Sequence, residues 1–183
     1  IPNATMMFYV NHRIEPFGDP DFRQAMSIVL DRQSIIDYAA DGWGKVPAMI
    51  ERDEAFPDIP AGMEWPYEAN TQAERIDLAN AALDAIPLMS DYVEGETRTY
   101  DGTPVSFTIR SGDWQEHINT AQLVAEQLAD VGIDLDHVQM TTKTLVGMTF
   151  RQTSVDTLDD WDTYVWGRAF SPEYDYFADQ WAA

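Results

Sequence analysis

The stretch from Val105 to Met140 restricts the possible folds more than any other part of the chain. It reads VSFTIR, then AQLVAEQLADVG, then IDLDHVQM. The first run is β-branched and aromatic. In the second, Ile118, Ala121, Val124, Ala125 and Leu128 recur at helical spacing within an expected helix from Trp114 to Val131, and Gly132 supplies its stop. In the third, Ile133, Leu135, His137 and Gln139 alternate with Asp134, Asp136, Val138 and Met140, which is the period of a strand. Two strands joined through a helix make a βαβ unit, and a crossover of that length brings its strands together in parallel. The class that follows is α/β, a mixed and partly parallel sheet flanked by helices.

The remaining segments supply further layers. Thr5 to Asn11, TMMFYVN, has strand composition, and EPFGDP breaks it with a turn. Asp19 or Pro20 opens a helix whose Phe22, Ala25, Met26 and Val29 form one stripe. Only Leu30, Asp31 and Arg32 separate it from a second helix carrying Ile35, Ile36 and Ala39 and ending near Gly42. The Asp31 carboxylate offers that second helix the acceptor its first turn lacks, so the chain turns there. The two helices are expected to pack against each other. Val46 to Pro66 holds Pro47, Pro57, Pro60 and Pro66 and little periodicity, a connection long enough to require a role or an interface. Asn70 or Thr71 then caps a third helix with Ile76, Ala79, Leu83 and Ile86 on one side. TRTYDGTPVSFTIRSG reads as a hairpin turning on Asp101 and Gly102, a short helix is expected over Thr144 to Gln152, and a last strand over Asp162 to Gly167.

Charge narrows the partners. The 183 residues carry 32 acidic and 11 basic side chains, a formal net charge of −21. Such a surface repels phosphate backbones and anionic lipid, so nucleic acid is not an expected partner. Nine of the bases are arginine, the only lysines are Lys45 and Lys143, and the acids are spread along the whole chain. That pattern is expected of a halophilic, acidic protein whose surface repulsion is screened by salt. There is no cysteine, hence no disulfide and no thiolate metal site. No run approaches the length of a membrane-spanning helix, and Ile1 opens directly into strand-like sequence, so the chain is expected to be a mature form or an excised fragment.

Chemistry is sparse. His12, His117 and His137 lie far apart and make no paired metal motif, so structural or exposed roles are expected and no metal or cofactor is implied. Asp159, Asp160 and Asp162 can be read as the carboxylates of an acidic hydrolase, but in a chain this acidic they read first as a solvated face. There is no Gly-rich phosphate loop, no GxSxG elbow and no thiol nucleophile. No catalytic residue is assigned, and the expectation is a binding module. The segment from Tyr164 to Trp181 places Tyr164, Trp166, Phe170, Tyr174, Tyr176, Phe177 and Trp181 within eighteen residues around Arg168. Rings at that density either edge a core or line a cleft, where rigid amphipathic surfaces bind at low entropic cost.

In order along the chain, FYVNHRIEPFGDPDFRQAMSIVLDRQSIIDYAADGWGKV, YEANTQAERIDLANAAL, the DGTPV turn at Asp101 to Val105, AQLVAEQLADVGIDLDHVQM and WDTYVWGRAFSPEYD resemble the family of peptide, nickel and oligopeptide-type solute-binding proteins of ABC importers. The resemblance implies a periplasmic-binding-protein-like (type II) clamshell, with residues 1–183 as a single domain forming most of one lobe. Its partners would be the other lobe of the same protein, a peptide or small polar ligand, and the ABC permease subunits in the membrane. The location it implies is extracytoplasmic, with a lipid anchor on the full-length protein; a ligand-sensing regulator using the same fold is the alternative. Aligning Asp162 and Gly167 with the family's pattern puts Arg168 where a Trp is usual and Ser171 where peptide-binding members hold the peptide amino group with an Asp. The amino-group anchor is therefore missing, and Arg168 presents instead a bidentate donor for a carboxylate or another anionic or polar group. The ligand-contacting residues implied are Asn11, Trp166, Gly167, Arg168, Phe170 and Ser171.

Overall fold

The computed structural model describes residues 4–44, 46, 67, 69–149 and 161–169. Its elements in chain order are β1 (Ala4–Val10), α1 (Pro20–Val29), α2 (Arg32–Ala39), α3 (Gln72–Asp84), β2 (Thr99–Tyr100), β3 (Thr103–Pro104), β4 (Ser106–Ser111), α4 (Gln115–Ala129), β5 (Asp134–Gln139), α5 (Thr142–Thr149) and β6 (Thr163–Ala169). Four strands form one sheet in the order β1-β6-β4-β5. β4 pairs with β5 and with β6 in parallel, while β1 lies antiparallel on the outer side of β6. The expected mixed sheet and its βαβ unit, β4-α4-β5, are both present. Val105, Ile109, Leu135 and Val165 meet Ala121, Val124 and Leu128 of α4 and Phe22, Ala25 and Val29 of α1 in one continuous core.

The helix starts follow from local chemistry. Asp19 accepts the Asp21 N–H (2.8 Å) and Pro20 takes the first turn, where a missing N–H costs nothing. Thr71 and Glu74 form a reciprocal capping box on α3. Asp31 accepts the Ser34 N–H (3.1 Å) to open α2, and also pairs with the buried Arg75 of α3 (3.1 Å). Gln127 of α4 completes that junction: its Oε1 accepts the Asp31 N–H (2.7 Å) and its Nε2 donates to Ser34 Oγ (3.0 Å).

That junction corrects one expectation. α1 and α2 do not pack on each other; α1 lies against α3 and α2 against α4. The break at Asp31 sends the chain from one neighbour to another, and α2 accordingly has no fully buried residue. The hairpin is a second correction. Asp101 (φ +48°) and Gly102 (φ +74°) do make the tight turn, but it joins only the two-residue strands β2 and β3 in a sheet of their own. At Val105 the chain leaves that hairpin, and β4 pairs only within the larger sheet. The proline-bearing connection over residues 47–66, the 150–152 end of the expected short helix, and Asp159 and Asp160 lie outside the described residues.

A buried arginine ties the small hairpin to the rest. Arg98 is 1 % exposed. Its Nε donates to the Val131 carbonyl (2.9 Å), Nη1 to Ser90 O and Asp84 Oδ1 (both 2.6 Å), and Nη2 to Asn80 Oδ1 (2.9 Å). The Tyr92 ring lies 5.3 Å from the guanidinium carbon. Gly132 makes this packing possible. At φ +78° it turns the chain so that Ile133 N–H reaches back to Leu128 O (3.1 Å), and a Cβ there would lie 2.9 Å from Arg98 Cγ and 3.0 Å from Glu96 O.

Candidate functional site

In open α/β sheets the loops that follow the strands carry binding groups, because the helices leave an open edge at the strands' carboxyl ends. Here that edge is made by the ends of β4, β5 and β6. Register places Ile109 opposite Thr163 and Arg110 opposite Tyr164, so β6 runs on past the end of β4 at Ser111. Its overhang, from Trp166 onward, pairs with β1, Trp166 opposite Met7 and Gly167 opposite Met6. The first turn of α4 fills the space that β4 leaves.

Three rings meet there. Trp114, immediately before α4, lies 5.2 Å from His117 and 6.3 Å from Trp166 between ring centres, with the two indoles inclined by only 22°. His117 lies 5.4 Å from Trp166. Positions 114 and 117 fall on one face of the helix start by their three-residue spacing. Trp114 is 55 % exposed and His117 2 % exposed, so the imidazole backs a wall whose front is indole. Behind it, a Cβ on Gly167 would stand 3.4 Å from His117 Nε2, and one on Gly112 would stand 3.6 Å from Nδ1. The ring thus lies within van der Waals reach of both glycine positions. His117 Nδ1 is buried with no hydrogen-bond partner.

Electrostatics at the edge are set by carboxylates. Asp113 accepts from both the N–H and the hydroxyl of Thr142 at the start of α5, and these bonds hold its pKa below the usual carboxylate range. Burial pushes the His117 pKa down, and Glu116 and Asp113 oppose that in part. One strand further, Ser111 Oγ and His137 Nε2 are 2.8 Å apart, joining β4 to β5, and burial lowers the His137 pKa also. Among the described residues no group of acids and histidines is arranged to hold a metal ion.

The residues singled out from sequence divide three ways. Trp166 and Gly167 stand at this edge. Arg168 follows them on β6, its backbone opposite Thr5. Phe170 and Ser171, with Tyr174, Tyr176, Phe177 and Trp181, lie outside the described residues. Asn11 stands apart from this edge. It sits at the far end of the β1-β6 pair, with its N–H on Asp162 O (2.9 Å) and its Nδ2 donating to Trp161 O (2.9 Å), while its Oδ1 accepts the Arg13 N–H (3.2 Å). At 4 % exposure its side chain closes a strand end, about 13 Å of strand away from Trp166. Asp162 is used similarly, accepting the Thr108 N–H (2.9 Å) and hydroxyl (2.7 Å). Tyr164 belongs to the packed interior, stacked on Tyr9 with ring centres 4.7 Å apart. Trp114 and His117 are not recognisable as site residues from periodicity, which assigns the first to a helix start and the second to its flank. They join Trp166 only through the register of β6 against β4.

Comparison with known proteins agrees with this architecture. Residues 1–183 match the family model described as bacterial extracellular solute-binding proteins, family 5 Middle. Oligopeptide-binding protein AppA of Bacillus subtilis (strain 168) is 29% identical over 127 residues, which are 68% of this chain and 22% of AppA. The structure of AppA in complex with a nonapeptide superposes with a TM-score of 0.68 at 24% identity, covering 93% of this chain and 34% of that one. NikA from Brucella suis in complex with Fe(III)-EDTA gives a TM-score of 0.72 at 19% identity over 96% of this chain and 33% of its own. A mannohexaose-bound oligopeptide-binding protein from Thermotoga maritima gives 0.71 at 19% identity over 94% and 31%. The chain therefore spans about a fifth to a third of the length of these relatives. These neighbours have the type II periplasmic-binding-protein fold, and the mixed α/β sheet described above is part of it. The chain belongs to the bacterial extracellular solute-binding proteins of family 5.

Proposed function

We propose that residues 1–183 are one domain, the ligand-facing lobe of a two-lobed receptor that captures an oligopeptide-like or other small polar solute outside the cytoplasm and delivers it to an ABC permease. The observation that carries this reading is the ring wall of Trp114, Trp166 and His117 at the carboxyl edge of the sheet, in a chain of this family. The ligand lies between this wall and the second lobe, and closure is a hinge motion that ligand selects. Trp114, Trp166 and Gly167 contribute contact surface; Arg168 supplies a planar pair of donors to a carboxylate, and Phe170 and Ser171 are further ligand contacts. Asn11 is scaffold. The full-length receptor is held at the cell surface by a lipid anchor and performs no chemistry on its cargo.

Mass spectrometry of small molecules that co-purify with the full-length receptor tests this, followed by titration calorimetry with the solute found and with Arg168→Ala. A retained solute whose affinity falls about tenfold or more in the variant supports the reading, the loss expected for a charge-assisted pair. Unchanged affinity removes Arg168 from the site, and a turned-over solute removes the receptor. The acidic coat belongs to the same proposal: the protein works in concentrated salt, which screens its −21 charge. Circular dichroism that stays constant from molar salt to a few millimolar would contradict that.

A further inference from the structure

We infer that His117 is a positioning residue which sets the Trp114–Trp166 wall and does so only as a neutral imidazole, making the wall proton-sensitive. The inference rests on the proposed receptor function for its consequence but not for its test.

Three observations carry it. First, the imidazole is confined. It touches both indoles, at 5.2 and 5.4 Å between ring centres, and it lies against two glycines on different strand ends, Gly112 after β4 and Gly167 on β6. A ring so enclosed fixes where Trp166 stands relative to Trp114, because the backbone of β6 rests on it at Gly167 while the helix start carries both it and Trp114. Second, the enclosure suits one protonation state. Nδ1 is buried and finds no partner. A neutral ring can leave a lone pair there at modest cost, whereas an imidazolium carries N–H on both nitrogens and would bury a donor without an acceptor. Third, among the described residues, what surrounds the ring does not provide a close acceptor. Asp113, the nearest carboxylate in sequence on the β4-α4 connection, is turned to the N–H and hydroxyl of Thr142. Glu116 is its neighbour on α4 and is exposed to water. From β5, His137 bonds to Ser111. Thr142 of α5 closes on the Gly112 side, with its Oγ1 2.9 Å from where a Cβ of Gly112 would stand. Asp113 and Glu116 thus act on the ring as distant charges, which raise its proton affinity but do not overcome burial.

Uptake of a proton consequently displaces the ring or admits water to it, and the two indoles lose their common support. In the receptor, the contact surface at this edge would be assembled at neutral pH and loosened on acidification, so that solute held by ring stacking is released more readily in an acidified medium.

Tryptophan fluorescence of the full-length protein, followed from pH 8 to pH 5 at constant salt with far-ultraviolet circular dichroism alongside, tests this without a ligand. The expected result is a one-proton change in emission centred below the ordinary histidine value of 6.5, with the circular dichroism unchanged. The change should disappear in His117→Gln, which fills the space without titrating, and should shrink in Trp114→Phe and in Trp166→Phe, in which His117 is intact. The two tryptophan variants keep the test decisive should the Gln variant misfold. An emission change that persists in His117→Gln, or one indifferent to both tryptophan substitutions, assigns the titration to another group and overturns the inference. Absence of any change in the native protein overturns it also. None of these outcomes bears on whether the protein binds a solute.

Discussion

Arg98 and His117 are equally hidden from water and oppositely treated. Arg98, 1 % exposed, directs Nε, Nη1 and Nη2 to four oxygens and lies against an aromatic ring. His117, 2 % exposed, has a nitrogen that no group answers. Burying a cation is tolerable only where its hydrogen bonds are all replaced, so the Arg98 knot reads as architecture. An unanswered buried polar atom is a cost retained, and such costs collect where a surface must do something other than hold the fold together. The knot lies where the β2-β3 hairpin, α3 and the α4-β5 turn converge; the imidazole lies behind an exposed indole at the carboxyl edge of the sheet. The knot and the ring wall are separated across the length of α4.

Removing the knot should be the most damaging single change. Arg98→Leu retains bulk but leaves Val131 O, Ser90 O and Asn80 Oδ1 without their donors. Asp84 is half-exposed and regains water, so the ion pair itself contributes little to the loss and the stranded carbonyls most of it. The expected cost is about 3 kcal/mol, which for a domain of this size lowers the melting temperature by about 10 °C. Arg98→Lys should fall between, because one ammonium cannot reach oxygens on three sides. Thermal unfolding by circular dichroism measures both. A loss below about 1 kcal/mol for the Leu variant would mean that the knot is no more structural than the wall.

Much of the knot is hidden in the sequence, for a physical reason. Arg98 lies in TRTY, which reads as an ordinary strand with one polar face, and nothing within several residues of it foretells its partners. These come from Asn80, Asp84, Ser90 and Val131, brought together only by folding. Periodicity does reveal what periodicity governs. The βαβ unit, the helix starts at Asp19, Asp31 and Thr71, the turn at Asp101–Gly102 and the stop at Gly132 are each local decisions made by a cap, a positive φ or an apolar stripe. The partner of each helix is not local, and so the sequence leads one to pack α1 on α2 when Asp31 in fact separates them toward α3 and α4. The site divides in the same way. Trp166 and Gly167 are visible through the resemblance of their segment to the family, whereas Trp114 and His117 join them through β6 overhanging β4, a matter of register that no single segment displays.

Acidification sharpens the comparison, since it acts on the wall and its neighbours and leaves a guanidinium unchanged. His12, His117 and His137 all have pKa values lowered from 6.5, chiefly by burial. Between 6.5 and the lower folded-state values the unfolded chain binds protons that the folded chain refuses. Stability is therefore complete above about pH 6.5 and falls as the pH drops through that window. Melting temperatures measured at pH 7.5, 6.5 and 5.5 should decline in that order, and the decline should be smaller in His137→Gln, which keeps a polar group near Ser111 without a titrating ring. A flat or rising series would indicate that the buried imidazoles are readily hydrated in the folded protein.

The smallest expected effect on folding belongs to the residue with the largest expected role at the wall. Trp114→Ala removes an indole that is already 55 % exposed and whose lost partners are the stacked Trp166 and the tilted His117 ring, so little apolar area leaves the core. The helix start keeps its backbone bonds, His117 N–H to Trp114 O at 3.0 Å and Ile118 N–H to the same oxygen at 3.1 Å, which do not depend on the side chain. The stability change should stay within about 0.5 kcal/mol, and alanine is not a worse entry residue here because Trp114 makes no side-chain cap. Affinity of the full-length receptor for its co-purifying solute should nonetheless fall about fivefold to tenfold, the worth of one aromatic contact, as read by titration calorimetry. Paired with Arg98→Leu, this variant separates the two regions: one substitution lowers the melting temperature, the other lowers affinity at an unchanged melting temperature. Were Trp114→Ala to unfold the protein instead, the indole would be a core residue with an exposed edge, and the front of the wall would have to be sought elsewhere along β6.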